Sequence, residues 1–149
     1  MENLDRNTEQ QVWKRVFAQP QIQSEREDLR LLVLYAMELS AGYRRLAGIL
    51  TGRDKERLRH LWEGEEANIA CLRGIHRLSG GTEEMVKPLS APNEPVRKVL
   101  EKSYHRTRRA LTEYTARLAD SEFGMVFQKM ADRERDHCAI LAELLGKQW

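Results

Sequence analysis

Cysteine is scarce in this chain, with only Cys71 and Cys138. Two thiols so far apart cannot build a cysteine-rich metal cluster, and nothing suggests a disulfide framework. Glycine and proline are thin, nine and four in 149 residues, so long stretches run free of helix breakers. Neither sign of charge prevails. The net value of +2 gives no strong field toward nucleic acid or a membrane surface. No apolar run approaches the roughly 18 residues of a membrane-spanning helix. The opening stretch MENLDRNTEQQ is polar and acidic, where a secretory signal would be basic and then apolar. These absences lead us to expect a cytoplasmic protein with no nucleic-acid and no membrane partner.

What is present is helical pattern. Hydrophobic residues make up 41% and charged residues 32%, an ordinary balance for one domain of this length. We expect residues 1–24 to form an N-terminal arm. It carries a short helix over TEQQVWKRVFAQ that ends at Pro20, with Val12, Trp13, Val16 and Phe17 as a docking face. Residues 25–149 read as an all-α four-helix bundle. Ser24 to Glu27 resembles a capping box for helix one, which Thr51-Gly52 stops. Asp54 is placed to cap helix two, which runs to about Leu78. Asn93 and Pro95 open helix three, and Asp120 or Ser121 caps helix four. The turns within the first and last pairs are short, so each pair is an antiparallel hairpin. The connection GGTEEMVKPLSAPNEP is longer than the 2–8 residues usual between bundle neighbours. Extended, it reaches roughly 50 Å, enough for a crossover that leaves helices two and three parallel; the alternative is a floppy loop between plain up-down helices.

The apolar stripes are interrupted at one height. In helix four, Phe123, Phe127 and Met130 lead to Leu141, Leu144 and Leu145, and Glu134 and His137 fill the gap. In helix two, Leu58, Leu61 and Trp62 lead to Ile69, Leu72 and Ile75, with Glu65 and Asn68 between. The segments LWEGEEANIACL and MADRERDHCAIL therefore form a weak internal repeat that pairs Glu65 with Glu134 and Asn68 with His137. Two buried carboxylates on facing helices repel unless one is protonated or a cation lies between them. Carboxylate oxygens with a neutral imidazole suit iron, manganese or zinc. Residues i and i+3 on one helix reach the same ion.

On these residues the chain resembles the ferritin-like superfamily, and within it the rubrerythrin diiron domain. The likeness covers residues 25–147 and rests on the helix lengths, the crossover-sized connection, Glu134-x-x-His137, the altered copy Glu65-x-x-Asn68, Tyr43-x-x-x-Ala47 and Tyr114. It implies metal binding and redox or peroxide-linked chemistry. The family's two-metal site takes a glutamate from each of two helices and two Glu-x-x-His pairs. Here Asn68 replaces a histidine, and the inward positions of helices one and three are Ala36, Ser103 and Thr107. The expected set is Glu65, Glu134 and His137, with Asn68 as a weaker oxygen donor, holding at most one ion well. Glu38 or Arg108 remains a candidate to complete it. Rubrerythrins also carry a Cys-x-x-Cys iron domain. None exists here, so a redox role implies an external electron donor. A homodimer is expected. The alternative is a non-enzymatic association bundle that has lost the metal site, its buried groups forming a polar network. His60 and His76 fall at or off the stripe edge and read as solvated. Cys71 and Cys138 read as small buried residues.

Overall fold

The computed structural model describes residues 29–81 and 90–149. The N-terminal arm, its short helix and the Ser24 cap lie outside them. The described residues form four helices and no strand: α1 over 29–49, α2 Gly52–Leu78, α3 Val96–Thr115 and α4 Gly124–Leu145. The chain is an all-α four-helix bundle.

Each boundary has a local cause. Gly52 has a φ of 62°, a left-handed conformation that costs a side-chain-bearing residue about 1 kcal/mol or more. It allows the abrupt turn from α1 into α2. Asp54 is not the cap of α2. It sits within the first turn and binds Lys147 Nζ at 2.6 Å, which ties the start of α2 to the end of α4. Pro95 precedes α3 with the extended backbone its ring favours. Asp120 Oδ1 accepts from the backbone N–H groups of Glu122 and Phe123 at 2.8 and 2.7 Å, an Asx-type turn that sets up α4.

Helix directions follow from which ends share a core. One apolar cluster joins Leu39, Tyr43 and Leu46 of α1, Leu58 and Leu61 of α2, Val99 and Leu100 of α3, and Leu141 and Leu144 of α4. The other joins Leu29, Leu32 and Val33, Leu72 and Ile75, Ala110 and Tyr114, and Phe127 and Met130. The first cluster thus gathers the late parts of α1 and α4 and the early parts of α2 and α3. Helices α2 and α3 run parallel, opposite to α1 and α4. The described ends of the connection, residues 79–81 and 90–95, therefore lie at opposite ends of the bundle, as a crossover requires. Where it arrives, Arg45 of α1 donates to Asn93 Oδ1 at 3.1 Å and to the Glu94 carbonyl. Between the two apolar clusters lies a polar layer in which Glu65, Asn68, Ser103, Thr107, Glu134 and His137 are all buried.

Candidate metal centre

The polar layer exists because α2 and α4 face each other at mid-height. Leu61 and Leu72 bracket Glu65 and Asn68 on α2, and Met130 and Leu141 bracket Glu134 and His137 on α4. All four bracketing residues are 0% exposed. The apolar brackets hold the helix phase, and the phase carries the polar residues inward. Glu65, Asn68 and Glu134 are 0% exposed and His137 is 1% exposed.

The two helices exchange hydrogen bonds reciprocally. Asn68 Nδ2 donates to Glu134 Oε1 at 2.8 Å. His137 Nδ1 lies 3.1 Å from Glu65 Oε1 and 3.9 Å from Glu134 Oε2. One ligand atom from each of Glu65, Glu134 and His137 lies within 4.8 Å of the others. The second oxygens of both carboxylates, Glu65 Oε2 and Glu134 Oε2, are buried without a hydrogen-bond partner. An unpaired buried acceptor is costly, and two in one cluster point to a missing proton or cation.

The electrostatics agree. Burial pushes the Glu65 carboxyl up to about 7, although the Glu134 carboxyl, which can share a proton, and the Arg133 charge pull it down. Burial, then the Glu65 charge, holds Glu134 well above the carboxylate range. Burial lowers the His137 imidazole, against the Glu134 and Asp136 charges that favour its cationic form. Burial therefore works against the charged form of each of the three groups. Tyr43 and Tyr114 close it. Burial and then the Glu65 charge raise both phenols well above 10, and Tyr43 Oη pairs with Thr107 Oγ1 at 3.3 Å.

Other candidates fall elsewhere. Glu38 is turned away and meets Arg106 at 3.1 Å. Arg108 is exposed, its guanidinium 5.8 Å from the Tyr104 ring centre. The cation that approaches the cluster is Arg133, which donates to Asn68 Oδ1 at 3.1 Å. That contact sets the Asn68 amide, since the reverse orientation would aim its NH2 at the guanidinium. Ala36, Ser103 and Thr107 are buried and bring no carboxylate. His76 is buried, 5% exposed, and not solvated. It lies under Gly81, where a Cβ would meet its Nε2 at 2.2 Å, a close approach that helical phase does not reveal. Cys71 and Cys138 are half-buried rather than fully enclosed.

Gly64 was not legible as a site residue. A Cβ there would lie 2.3 Å from His137 Nε2 and 2.5 Å from Cε1, so the imidazole rests on bare backbone. The available signal was a glycine inside a long helix, which costs about 1 kcal/mol relative to alanine and calls for a packing reason.

Fold and cluster together define a class: a four-helix bundle with a buried carboxylate–imidazole centre on its second and fourth helices. No family model, curated protein or solved structure matches the chain.

Proposed function

We propose that the bundle binds one iron, manganese or zinc ion between Glu65, Glu134 and His137, and with iron or manganese acts as a rubrerythrin-like redox protein toward peroxide or oxygen with electrons from an external donor. The observation that carries this reading is the convergence of three ligand atoms within 4.8 Å around two carboxylate oxygens that lack partners in a dry interior. Ligand atoms that share an ion at 2.0–2.2 Å sit roughly 3–3.5 Å apart, close to the 3.1 and 3.9 Å separations from His137 Nδ1. Two carboxylates balance a divalent charge, and the neutral imidazole adds none. A bound redox metal would supply the electron transfer and the open coordination positions that these side chains lack. Glu65 and Glu134 would hold it by charge, and His137 would direct a lone pair from Nδ1. Asn68, bonded to Glu134 and anchored by Arg133, would keep one carboxylate oriented. The single long crossover between α2 and α3 supports kinship with ferritin-like folds, which share that arrangement. Ala36, Ser103 and Thr107 support one ion rather than two.

A second reading is a bundle that keeps the fold for association and has given up the metal. The reciprocal bonds Asn68–Glu134 and His137–Glu65 favour it, because a shared proton would complete the network without an ion. Metal analysis of protein purified without added metal separates the two. About one equivalent of metal, lost in both His137→Ala and Glu134→Gln, supports the first reading. A metal-free protein whose thermal unfolding ignores Fe(II), Mn(II) and Zn(II) overturns it.

A further inference from the structure

His137 also faces a second set of ligands. On α2, one turn before Gly64, His60 Nε2 lies 2.8 Å from Asp136 Oδ2 of α4. The His60 ring stands edge-on to the His137 ring, with centres 6.1 Å apart and planes at 78°. One ligand atom from each of His60, Asp136 and His137 lies within 4.8 Å of the others. His60 and Asp136 are exposed, with 59% and 56% of their side-chain surface open, so both can rotate toward a common point.

We infer that His60, Asp136 and His137 Nε2 form an outer binding site for a zinc-class divalent cation, with Glu65 as its positioning residue. Three observations converge. First, two imidazoles and one carboxylate are a proven ligand set for such ions and leave positions open. Second, His137 is held as metal-bound histidines usually are. Its Nδ1 meets the Glu65 carboxylate at 3.1 Å. When that nitrogen donates its N–H, the tautomer is fixed and the lone pair sits on Nε2. Third, Nε2 lies against bare backbone at Gly64 of α2, which holds the ring on the side of that helix that carries His60. A Cβ on Gly64 would meet Nε2 at 2.3 Å, so the ring lies directly on the backbone of α2, one turn from His60.

This site differs in kind from the inner centre. A neutral imidazole has one lone pair, so His137 serves the inner ion through Nδ1 or the outer ion through Nε2, not both. The outer site is open to solvent and needs neither Glu134 nor Asn68. It therefore goes beyond the proposed function and does not depend on it.

Cobalt(II) titration of the full chain, followed by visible absorption and calorimetry with Zn(II) in parallel, tests the inference. His60→Ala and Asp136→Asn, at exposed positions that leave the core intact, should each weaken binding about tenfold or more. Glu134→Gln should change it less than about twofold, because Glu134 is no ligand of the outer ion. Gly64→Ala, which retains every ligand, should lose binding as well. Unaltered Co(II) and Zn(II) binding in both His60→Ala and Asp136→Asn would overturn the outer site. If Glu134→Gln then abolished binding, the inner centre would stand alone. Binding lost in His60→Ala and kept in Glu134→Gln would leave the outer site and remove the inner one.

Discussion

The two halves of the internal repeat reach the same height with the same spacing and end in different chemistry. On α2, Glu65 and Asn68 are fully buried, and on α4 Glu134 and His137 are too. Each second residue crosses over to bind the other helix's glutamate. The amide copy is locked. Asn68 gives its NH2 to Glu134 and its oxygen to Arg133, and it does not titrate. The imidazole copy is poised. His137 keeps one nitrogen on Glu65 and lays the other over Gly64 beside His60 and Asp136. A repeat can thus keep its geometry while one half is tied up in amide hydrogen bonds and the other presents a titratable imidazole.

The largest expected effect comes from deleting the poised half. His137→Ala leaves a cavity and strips Glu65 of its partner, at a cost of about 3 kcal/mol. Thermal unfolding with and without added divalent ions should show lower stability and no remaining ion-dependent rise. Retention of that rise would place the ion elsewhere.

The next effect is on pH. In the ion-free protein Glu65 titrates near 7 instead of 4.5, and Glu134 is raised as well. A buried acid whose folded value is raised contributes full stability below its unfolded value and loses it as pH rises through the folded one. His137 is lowered, and its contribution is lost as pH falls below the unfolded 6.5. The two slopes oppose each other between 4.5 and 6.5. Above 6.5 only the acids act, so stability should keep falling as pH rises toward 8; the Glu65 displacement is worth on the order of 3 kcal/mol over the whole span from 4.5 to 8, and about 1 kcal/mol of it falls above 6.5. Denaturant midpoints across that range should show the slope, and Glu65→Gln should flatten it. Metal binding displaces protons, so any ion-dependent gain in melting temperature should instead grow with pH.

Making the halves alike sharpens the comparison further. Asn68→His restores a second Glu-x-x-His and should raise divalent-ion affinity about tenfold by adding an imidazole, read by competition against a chelator. The smallest effect belongs to Arg133→Leu. Freeing Asn68 Oδ1 should cost about 1 kcal/mol, and removing a charge that stabilises ionised Glu65 should shift the pH slope upward.

Much of this was readable from residue order because it is local. The brackets Leu61/Leu72 and Met130/Leu141 fix helix phase within one segment, and that phase alone turns Glu65, Asn68, Glu134 and His137 inward. The long connection over 79–95 allowed the parallel run of α2 and α3 through its reach. What was missed acts between helices. His60 looked like a solvated surface residue, and it is exposed, but its partner Asp136 lies on another helix. Helical position favours Arg108 for the cluster, while Arg133, one residue from Glu134, is the one that arrives through Asn68. His76 fell at the stripe edge by phase, and the turn at Gly81 buries it.

Residue order determined the four helices and the inward placement of the acids and the imidazole, because 3.6-residue periodicity is a property of the chain itself, and loop reach allowed the parallel run of α2 and α3 that the shared cores establish. Tertiary packing decided which nitrogen of His137 faces which set of ligands, that Asn68 is pinned by Arg133, and that Gly64 must lack a side chain. Those outcomes depend on separations of a few ångströms between helices, and no periodicity along one helix encodes them.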